Sequence, residues 1–529
     1  MSLARTNAVT LEGVQGTVID VEVYMGPGLP RTQLVGLPDP ALKESRDRCR
    51  AAVINSGHRW PNRNLTIGLS PASVPKGGAI YDLAIALGVL AADGTVPGEP
   101  LEDAVLLGEL ALDGRLRAVP GVLPATLAAS RTGITRVMVP EVNAAEAEAV
   151  EGVSVVGLRS LRQAIALLTD GELPDDDPPV PPLAYSPRAI WSGQDRVAGL
   201  DLEEVLGQGE ARWCVEVAAA GGHHLLLEGP PGAGKTMIAE RLPGLLPDLD
   251  VDESLEVSAV HSIAGTLPAD RPLLTRPPFL DPHHSATLVS IIGGGSRILR
   301  PGAMSLAHRG VLFMDEAPEF ASHVLEGLRQ PLESGQISIG RSERTATFPA
   351  EFQLVLAANP CPCGFDWGRG DRCECSPASK RRYRHRISGP VRDRIDIYRT
   401  VQPVRRHELR RDLAFVESTS TVATRVRAAR ERQAARYAET PWRRNSEVPG
   451  TALRSKWPVR SSRVSEIEAG LAEGRISARG ADRILRLSWT LADLAGRAEP
   501  SDDDVHNAIL LRDSGPLPIA RTRPSEVVA

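Results

Sequence analysis

Eight consecutive residues carry the most specific chemistry in the chain: Gly229-Pro230-Pro231-Gly232-Ala233-Gly234-Lys235-Thr236. They spell G-x-x-x-x-G-K-[ST], in which glycines let backbone amides turn toward phosphate oxygens. Lys235 then meets the β and γ oxygens, and the Thr236 hydroxyl ligates Mg²⁺. The apolar run Leu225 to Leu227 precedes the motif as a strand and Met237 to Leu242 follows as a helix, so both flanks fit. A second apolar run, Val311 to Met314, ends in Asp315-Glu316, where Asp315 can hold Mg²⁺ and Glu316 can polarise an attacking water. A third, Phe352 to Ala358, ends at Asn359, whose amide either orients that water or touches the γ-phosphate, or else simply closes the strand as a turn residue. The three segments together describe a site for ATP, Mg²⁺ and hydrolysis.

Four of the six cysteines follow at once, as Cys361-x-Cys363 and Cys373-x-Cys375. Too few for a disulfide framework in so long a chain, they are either a tetrahedral Zn²⁺ site bracing the loop after Asn359 or reduced bystanders. The one-residue inner spacing departs from the usual two to four. His283 and His284 have no acidic or histidine partner at ligand spacing and are expected to be structural or substrate-facing.

These residues need elements to hold them. To about Asp170, strand-like runs (Thr17 to Tyr24, Leu65 to Leu69, Arg136 to Val139) alternate with helix-like ones (Tyr81 to Ala91, Leu123 to Ser130), which predicts a compact α/β or α+β domain over 1–170. The stretch 171–190 is rich in Pro and Asp; it lacks amide donors and repels itself, so it reads as a linker. Strands, helices and glycine turns alternate over 191–405, as a parallel sheet requires. From 406 to 529 the pattern is helical, with Ile484, Leu487, Leu491 and Leu494 recurring three and four apart and Ser501 to Asp504 forming a capping box before Val505. No apolar run reaches the ~20 residues that cross a bilayer, and Met1 to Gly16 lacks the features of a secretion signal, so a soluble, cytoplasmic protein is expected. A net charge of −5 does not exclude nucleic acid, because local basic clusters decide binding.

Beyond the three site segments, the strings Pro282-His283-His284-Ser285, Ile292-Gly293-Gly294-Gly295, Arg300-Pro301-Gly302, Ser305-Leu306-Ala307-His308, Asn359-Pro360-Cys361-Pro362-Cys363-Gly364 and Ile387-Ser388-Gly389-Pro390 resemble the ComM (YifB) family, in the magnesium-chelatase-like branch of the AAA+ ATPases. The resemblance covers nearly the whole chain. It implies an AAA+ core with a helical lid and a homo-oligomer, a hexameric ring with each ATP between two subunits. On it Asn359 is the first sensor, Arg394 the arginine finger reaching a neighbour's γ-phosphate, and Arg479 the second sensor on the lid. Guanidinium suits these tasks because it is always charged and can fork onto phosphate oxygens. From the residues alone, either arginine is a surface ion pair.

Ile337 to Thr347 alternates about a turn with Arg341 and Arg344 near its tip, as a hairpin does, and Leu288 to Arg300 ends a glycine run with Arg297 and Arg300. In the resembled branch two such insertions point into the ring's pore, where these arginines would grip DNA phosphates with little regard for sequence. The bland alternative is a pair of solvated turns. The cluster Lys380 to Arg386, with Tyr383 among its cations, either tracks a strand or is a solvated helix face.

Pro75-Lys76-Gly77-Gly78 and Gly108 to Arg115 resemble the proteolytic domain of Lon-type proteases, but Ile80 and Leu123 stand where a serine and its activating lysine are required. The amino-terminal domain is thus expected to be a non-proteolytic scaffold. The leading functional expectation is a DNA-binding branch-migration motor. The alternative is a chelatase-type ATPase that remodels a protein partner for metal insertion, and a protease is disfavoured by the missing dyad.

Overall fold

The structure is a computed structural model that describes residues 2–36, 40–183, 196–295, 299–341, 344–404 and 416–517. Arg297 lies outside them.

The amino-terminal part is built on a seven-stranded sheet in the order Arg31–Val35, Asn64–Ser70, Gln15–Gly26, Ser2–Glu12, Ala104–Leu106, Arg136–Pro140, Ser154–Leu158. Ser2–Glu12 and Gln15–Gly26 form a long antiparallel hairpin that Asn64–Ser70 extends, and the pairing is parallel at the Arg31–Val35 edge and from Ser2–Glu12 to Ala104–Leu106 and beyond. Alternation in Asn64–Ser70 turns Leu65, Ile67 and Leu69 into the core. The expected strands at Thr17, Leu65 and Arg136 lie inside observed ones, and the expected helices match Asp82–Ala92 and Val122–Arg131 within a residue at each end.

The described part of the Pro/Asp-rich stretch forms no helix or strand, but it is not loose. Asp177 is buried and accepts from Ser160 Oγ at 2.5 Å and Arg162 at 2.7 Å, and Gln163 Nε2 donates to the Pro174 carbonyl at 2.9 Å. Charge repulsion among the aspartates is offset there by the two partners of one of them.

The second sheet is entirely parallel, in the order Phe279–Leu280, Val311–Met314, Gln353–Ala358, Leu225–Glu228, Ile397–Thr400. Its inner strands are buried on both faces and so read as continuous apolar runs. Leu225, Leu227, Phe313 and Val355 pack into one core, while Leu226, Leu312, Met314 and Leu354 pack into another on the opposite face. The carboxy-terminal helices Thr419–Arg436, Gly450–Lys456, Val464–Ala472, Ala478–Leu494 and Asp502–Asp513 cover the first of these. Ser501 and Asp504 form the expected capping box.

The two sheets are joined by contacts that no periodicity announces. Leu123 and Val150 pack with Ala259, and Gly121 N–H donates to Ser262 O at 3.1 Å. The turn after Ser2–Glu12 meets the hairpin Gln336–Arg341/Arg344–Pro349: a Cβ on Gly13 would lie 2.1 Å from the Thr347 carbonyl oxygen, so only glycine fits at this φ of +62°. No described helix is long and apolar enough to cross a membrane.

Candidate functional site

The parallel strand Leu225–Glu228 delivers the chain to Gly229, where a Cβ would sit 2.2 Å from the Val401 carbonyl oxygen. Gly232 and Gly234 have φ of +75° and +92°, a region closed to most side chains, and the helix Lys235–Ala239 starts immediately after. Such a turn before a helix lets backbone amides face a phosphate.

Two other segments converge there. Lys235 is buried, and its Nζ donates to the carbonyls of Gly229 at 2.7 Å and Pro230 at 3.0 Å and to Asn359 Oδ1 at 3.1 Å. Burial lowers its pKa from the ordinary lysine value, opposed by the carboxylates of Asp315 and Glu316. Thr236 Oγ1 donates to Asp315 Oδ2 at 2.7 Å. Cis oxygens around octahedral Mg²⁺ stand about 2.9 Å apart, so this pair could share one Mg²⁺. Lys235, Thr236, Asp315 and Asn359 are thus brought together as the sequence anticipates.

Glu316 adopts a left-handed backbone (φ +50°, ψ +41°), and its N–H donates to Asp315 Oδ1 at 2.8 Å. A non-glycine residue in that region is uncommon and is held there by its surroundings. Its side chain reaches solvent, with Oε2 lying 3.3 Å from His284 Nδ1. The expectation that His284 lacks an acidic partner is therefore corrected: the neighbouring strand supplies one, a proximity linear spacing does not reveal.

Arg394 and Arg479 are brought to each other rather than to this cluster. Arg394 is buried and donates to Pro390 O and to Glu333 Oε2, both at 2.7 Å, while the exposed Arg479 donates to Glu333 Oε1 at 3.3 Å. Glu333 had no signature in the sequence, since it lies 61 and 146 positions from its partners. Also missed was Gln208, a buried amide whose Nε2 donates to Ala233 O at 3.0 Å and Gln402 O at 2.8 Å, tying the phosphate loop to the end of the last strand.

The Sγ atoms of Cys361, Cys363, Cys373 and Cys375 all lie within 4.8 Å of one another, with separations of 3.3 Å for Cys361–Cys363 and 3.7 Å from each of these to Cys373. A tetrahedral Zn²⁺ with bonds of ~2.3 Å sets its sulfurs about 3.8 Å apart, so the four thiols fit that ion. The Phe365 backbone N–H pulls the Cys363 thiol down to about 6, and burial pushes Cys361 up to about 12. The loop touches the phosphate site, since a Cβ on Gly364 would lie 2.6 Å from Pro231 Cδ.

Arg300 sits in the short ladder Gly293–Gly294/Arg300–Pro301, and Arg341 pairs in register with Arg344 at the tip of the second hairpin. The two insertions are neighbours: a Cβ on Gly293 would lie 2.6 Å from Ile339 Cδ1. In the basic cluster Tyr383 is buried and unavailable for stacking, Lys380 and Arg384 pair with Asp366, and Arg386 pairs with Glu319. The cluster lies on and just after the helix Pro377–Arg384, and these pairings favour the helix-face alternative over an open cationic track.

Comparison with known proteins gives three family matches: magnesium chelatase, subunit ChlI, over residues 201–409; subunit ChlI of Mg-chelatase over 21–143; and the ChlI carboxy-terminal region over 416–512. An uncharacterized protein of Mycobacterium tuberculosis (strain ATCC 25618 / H37Rv) is 48% identical over 97% of this chain and 99% of its own length. The uncharacterized protein YifB of Escherichia coli (strain K12) is 40% identical over 93% and 94%, and the competence protein ComM of Haemophilus influenzae is 37% identical over 94% and 95%.

Proposed function

The chain belongs to the ComM/YifB family of magnesium-chelatase-like AAA+ ATPases, and from that premise we propose that it is an ATP-hydrolysing ring motor that moves DNA. Residues Gly229 to Thr236 hold the nucleotide, Thr236 and Asp315 hold its Mg²⁺, Glu316 polarises the attacking water, and Asn359 contacts the γ-phosphate. Arg394 is the finger and Arg479 the second sensor of a neighbouring site. The observation that carries this reading is the division of polar groups: Lys235, Thr236, Asp315 and Asn359 contact one another, whereas both arginines contact Glu333. A hexameric ring brings the second set to the first of the next subunit. Zinc on the four cysteines braces the loop that packs against Pro231.

The adjacent insertions supply the grip. Arg297, Arg300, Arg341 and Arg344 contact phosphates of single-stranded or branched DNA in the pore, and the helices after residue 406 serve as the lid. The amino-terminal domain is a Lon-like scaffold without its dyad; Leu123, at the lysine position, is spent on packing against the ATPase part. The likeness to a competence protein supports a place in the cytoplasmic handling of recombining DNA, where a translocating ring drives branch migration.

The test is ATP hydrolysis by purified rings with and without branched DNA, repeated with Arg341→Ala plus Arg344→Ala. Stimulation by DNA, lost in the double variant together with a salt slope flatter by about two phosphate contacts, is the expected result. Stimulation by a protein partner and not by DNA would move the reading to a chelatase-type remodeller.

A further inference from the structure

The hairpin Gln336–Arg341/Arg344–Pro349 cannot hold its place alone. Among the described residues its two strands pair only with each other, and such a pair is at best marginally stable in water, so its position comes from what covers it. Register sets Ile337 opposite Phe348 and Ile339 opposite Ala346, which gathers these four side chains on one face. Ser338 and Thr347 share the other, with their hydroxyls 3.2 Å apart. Ile337, Ala346 and Phe348 are buried. Part of their cover comes from the amino-terminal domain: Leu11 and Val14 pack in one cluster with Ile339, Ala346 and Phe348, beside Ile263 of the helix Val251–Ala264.

The covering turn is short and stiff. Glu12 pairs with Gln15, which leaves Gly13-Val14 as a two-residue loop whose first residue is a left-handed glycine, a geometry that suits the twist of the flanking strands. Gly13 lies against the backbone of Arg344–Pro349, where a Cβ would stand 2.1 Å from the Thr347 oxygen, 3.1 Å from its carbonyl carbon and 3.3 Å from its nitrogen. Leu11 is backed in turn by the joint between the two sheets. A Cβ on Gly121 would lie 2.4 Å from Leu11 Cδ1, and Gly121 N–H donates to Ser262 O at 3.1 Å. Thr347 is three residues from Arg344, about 10 Å of strand, so a displacement at Thr347 is carried to the tip.

We infer that the amino-terminal domain is the seat of this hairpin: the turn Leu11 to Val14 fixes where the backbone of Arg341 and Arg344 stands, and Gly13 and Val14 are positioning residues for the DNA grip. The seat extends to the first insertion, because Ile339 lies against Gly293 and Leu299 joins the same cluster. The inference rests on the hairpin being a part that meets DNA.

The experiment compares two glycine substitutions in full-length rings. Gly13→Ala puts a methyl group onto a backbone carbonyl that no side-chain rotation can move aside. Gly94→Ala, in the same domain at φ +78° with nothing within 4 Å of its Cβ position, carries similar backbone strain without the contact. Without DNA, hydrogen exchange read by mass spectrometry should quicken severalfold over residues 336–349 in Gly13→Ala and stay unchanged there in Gly94→Ala. Affinity for a labelled single strand should fall roughly three- to tenfold in Gly13→Ala alone, with KM for ATP unchanged. In an Arg341→Ala plus Arg344→Ala background the same substitution should cost no further affinity. Unchanged exchange over 336–349, an equal effect of Gly94→Ala, or a full further loss of affinity in that background overturns the inference. Should Gly13→Ala fail to assemble, Val14→Ser thins the apolar seat without the collision and is read by the same measurements. If the parent protein does not bind DNA, the DNA reading fails, while exchange over 336–349 still decides whether the turn seats the hairpin.

Discussion

Around Lys235 each polar group finds its partner in the same phosphate-binding region: the ammonium on two loop carbonyls and Asn359, the Thr236 hydroxyl on Asp315. Around Glu333 two guanidiniums share one carboxylate whose side chain is 60% exposed, though Arg394 itself is only 6% exposed. The first arrangement is complete within a chain. The second is a half-solvated ion pair, worth little in itself, which on the proposed ring is exchanged for the higher charge of a neighbour's phosphate. On the proposed reading, the difference separates the half of the hydrolytic machinery that the chain supplies to itself from the half it lends to a neighbour.

Mixing subunits would break that comparison most sharply. Arg394→Ala rings should lose about 10³- to 10⁵-fold in hydrolysis, and adding Lys235→Ala subunits should restore part of it where an intact loop meets an intact finger. Verified mixed rings without any recovery would remove the claim of action across subunits. Next in size, Glu316→Gln should bind ATP normally yet hydrolyse it roughly 10²- to 10⁴-fold more slowly, whereas Lys235→Ala should fail to bind. Equilibrium binding of a labelled nucleotide separates the two, and equal loss of binding would mean that Glu316 belongs to the binding half.

A smaller effect is expected from the cysteine loop. Protein purified without chelator should carry one Zn²⁺ per chain, and Cys361→Ser with Cys363→Ser should release it and weaken ATP binding severalfold through Pro231, by elemental analysis and titration. Zinc lost with unchanged ATP affinity would detach this loop from the nucleotide half. Smallest is the pH response of Glu333. The Arg394 hydrogen bond holds its carboxyl below the ordinary glutamate value, so its contribution to stability is complete above the unfolded pKa and fades as pH falls through the lowered folded one. Thermal melts of Glu333→Gln should therefore converge with the parent protein in acid and fall below it near neutrality. A difference independent of pH would show that the pair contributes no linked stability.

The nucleotide half was legible because its spacing is local and its chemistry unforgiving. Eight adjacent residues define the phosphate loop, and Asp315 and Asn359 each end an apolar run that only a doubly covered parallel strand can bury. The hairpin about Arg341 and Arg344 was legible for the same reason, its alternation being a short-range property. The sequence left open whether the cluster about Tyr383 tracks a strand or is a helix face, because only the segment that covers Tyr383 decides it.

The sequence by itself therefore determined the elements, the glycines forced by left-handed turns, and the residue types able to hold phosphate and Mg²⁺, since these depend on backbone sterics and on neighbours a few positions apart. Only the tertiary structure decided that His284 stands beside Glu316, that Glu333 gathers Arg394 and Arg479, and that Gly13 sits under Thr347. Each of these joins segments tens to hundreds of residues apart. Their proximity comes from strand order and from packing between the two sheets, and neither is written in any local period.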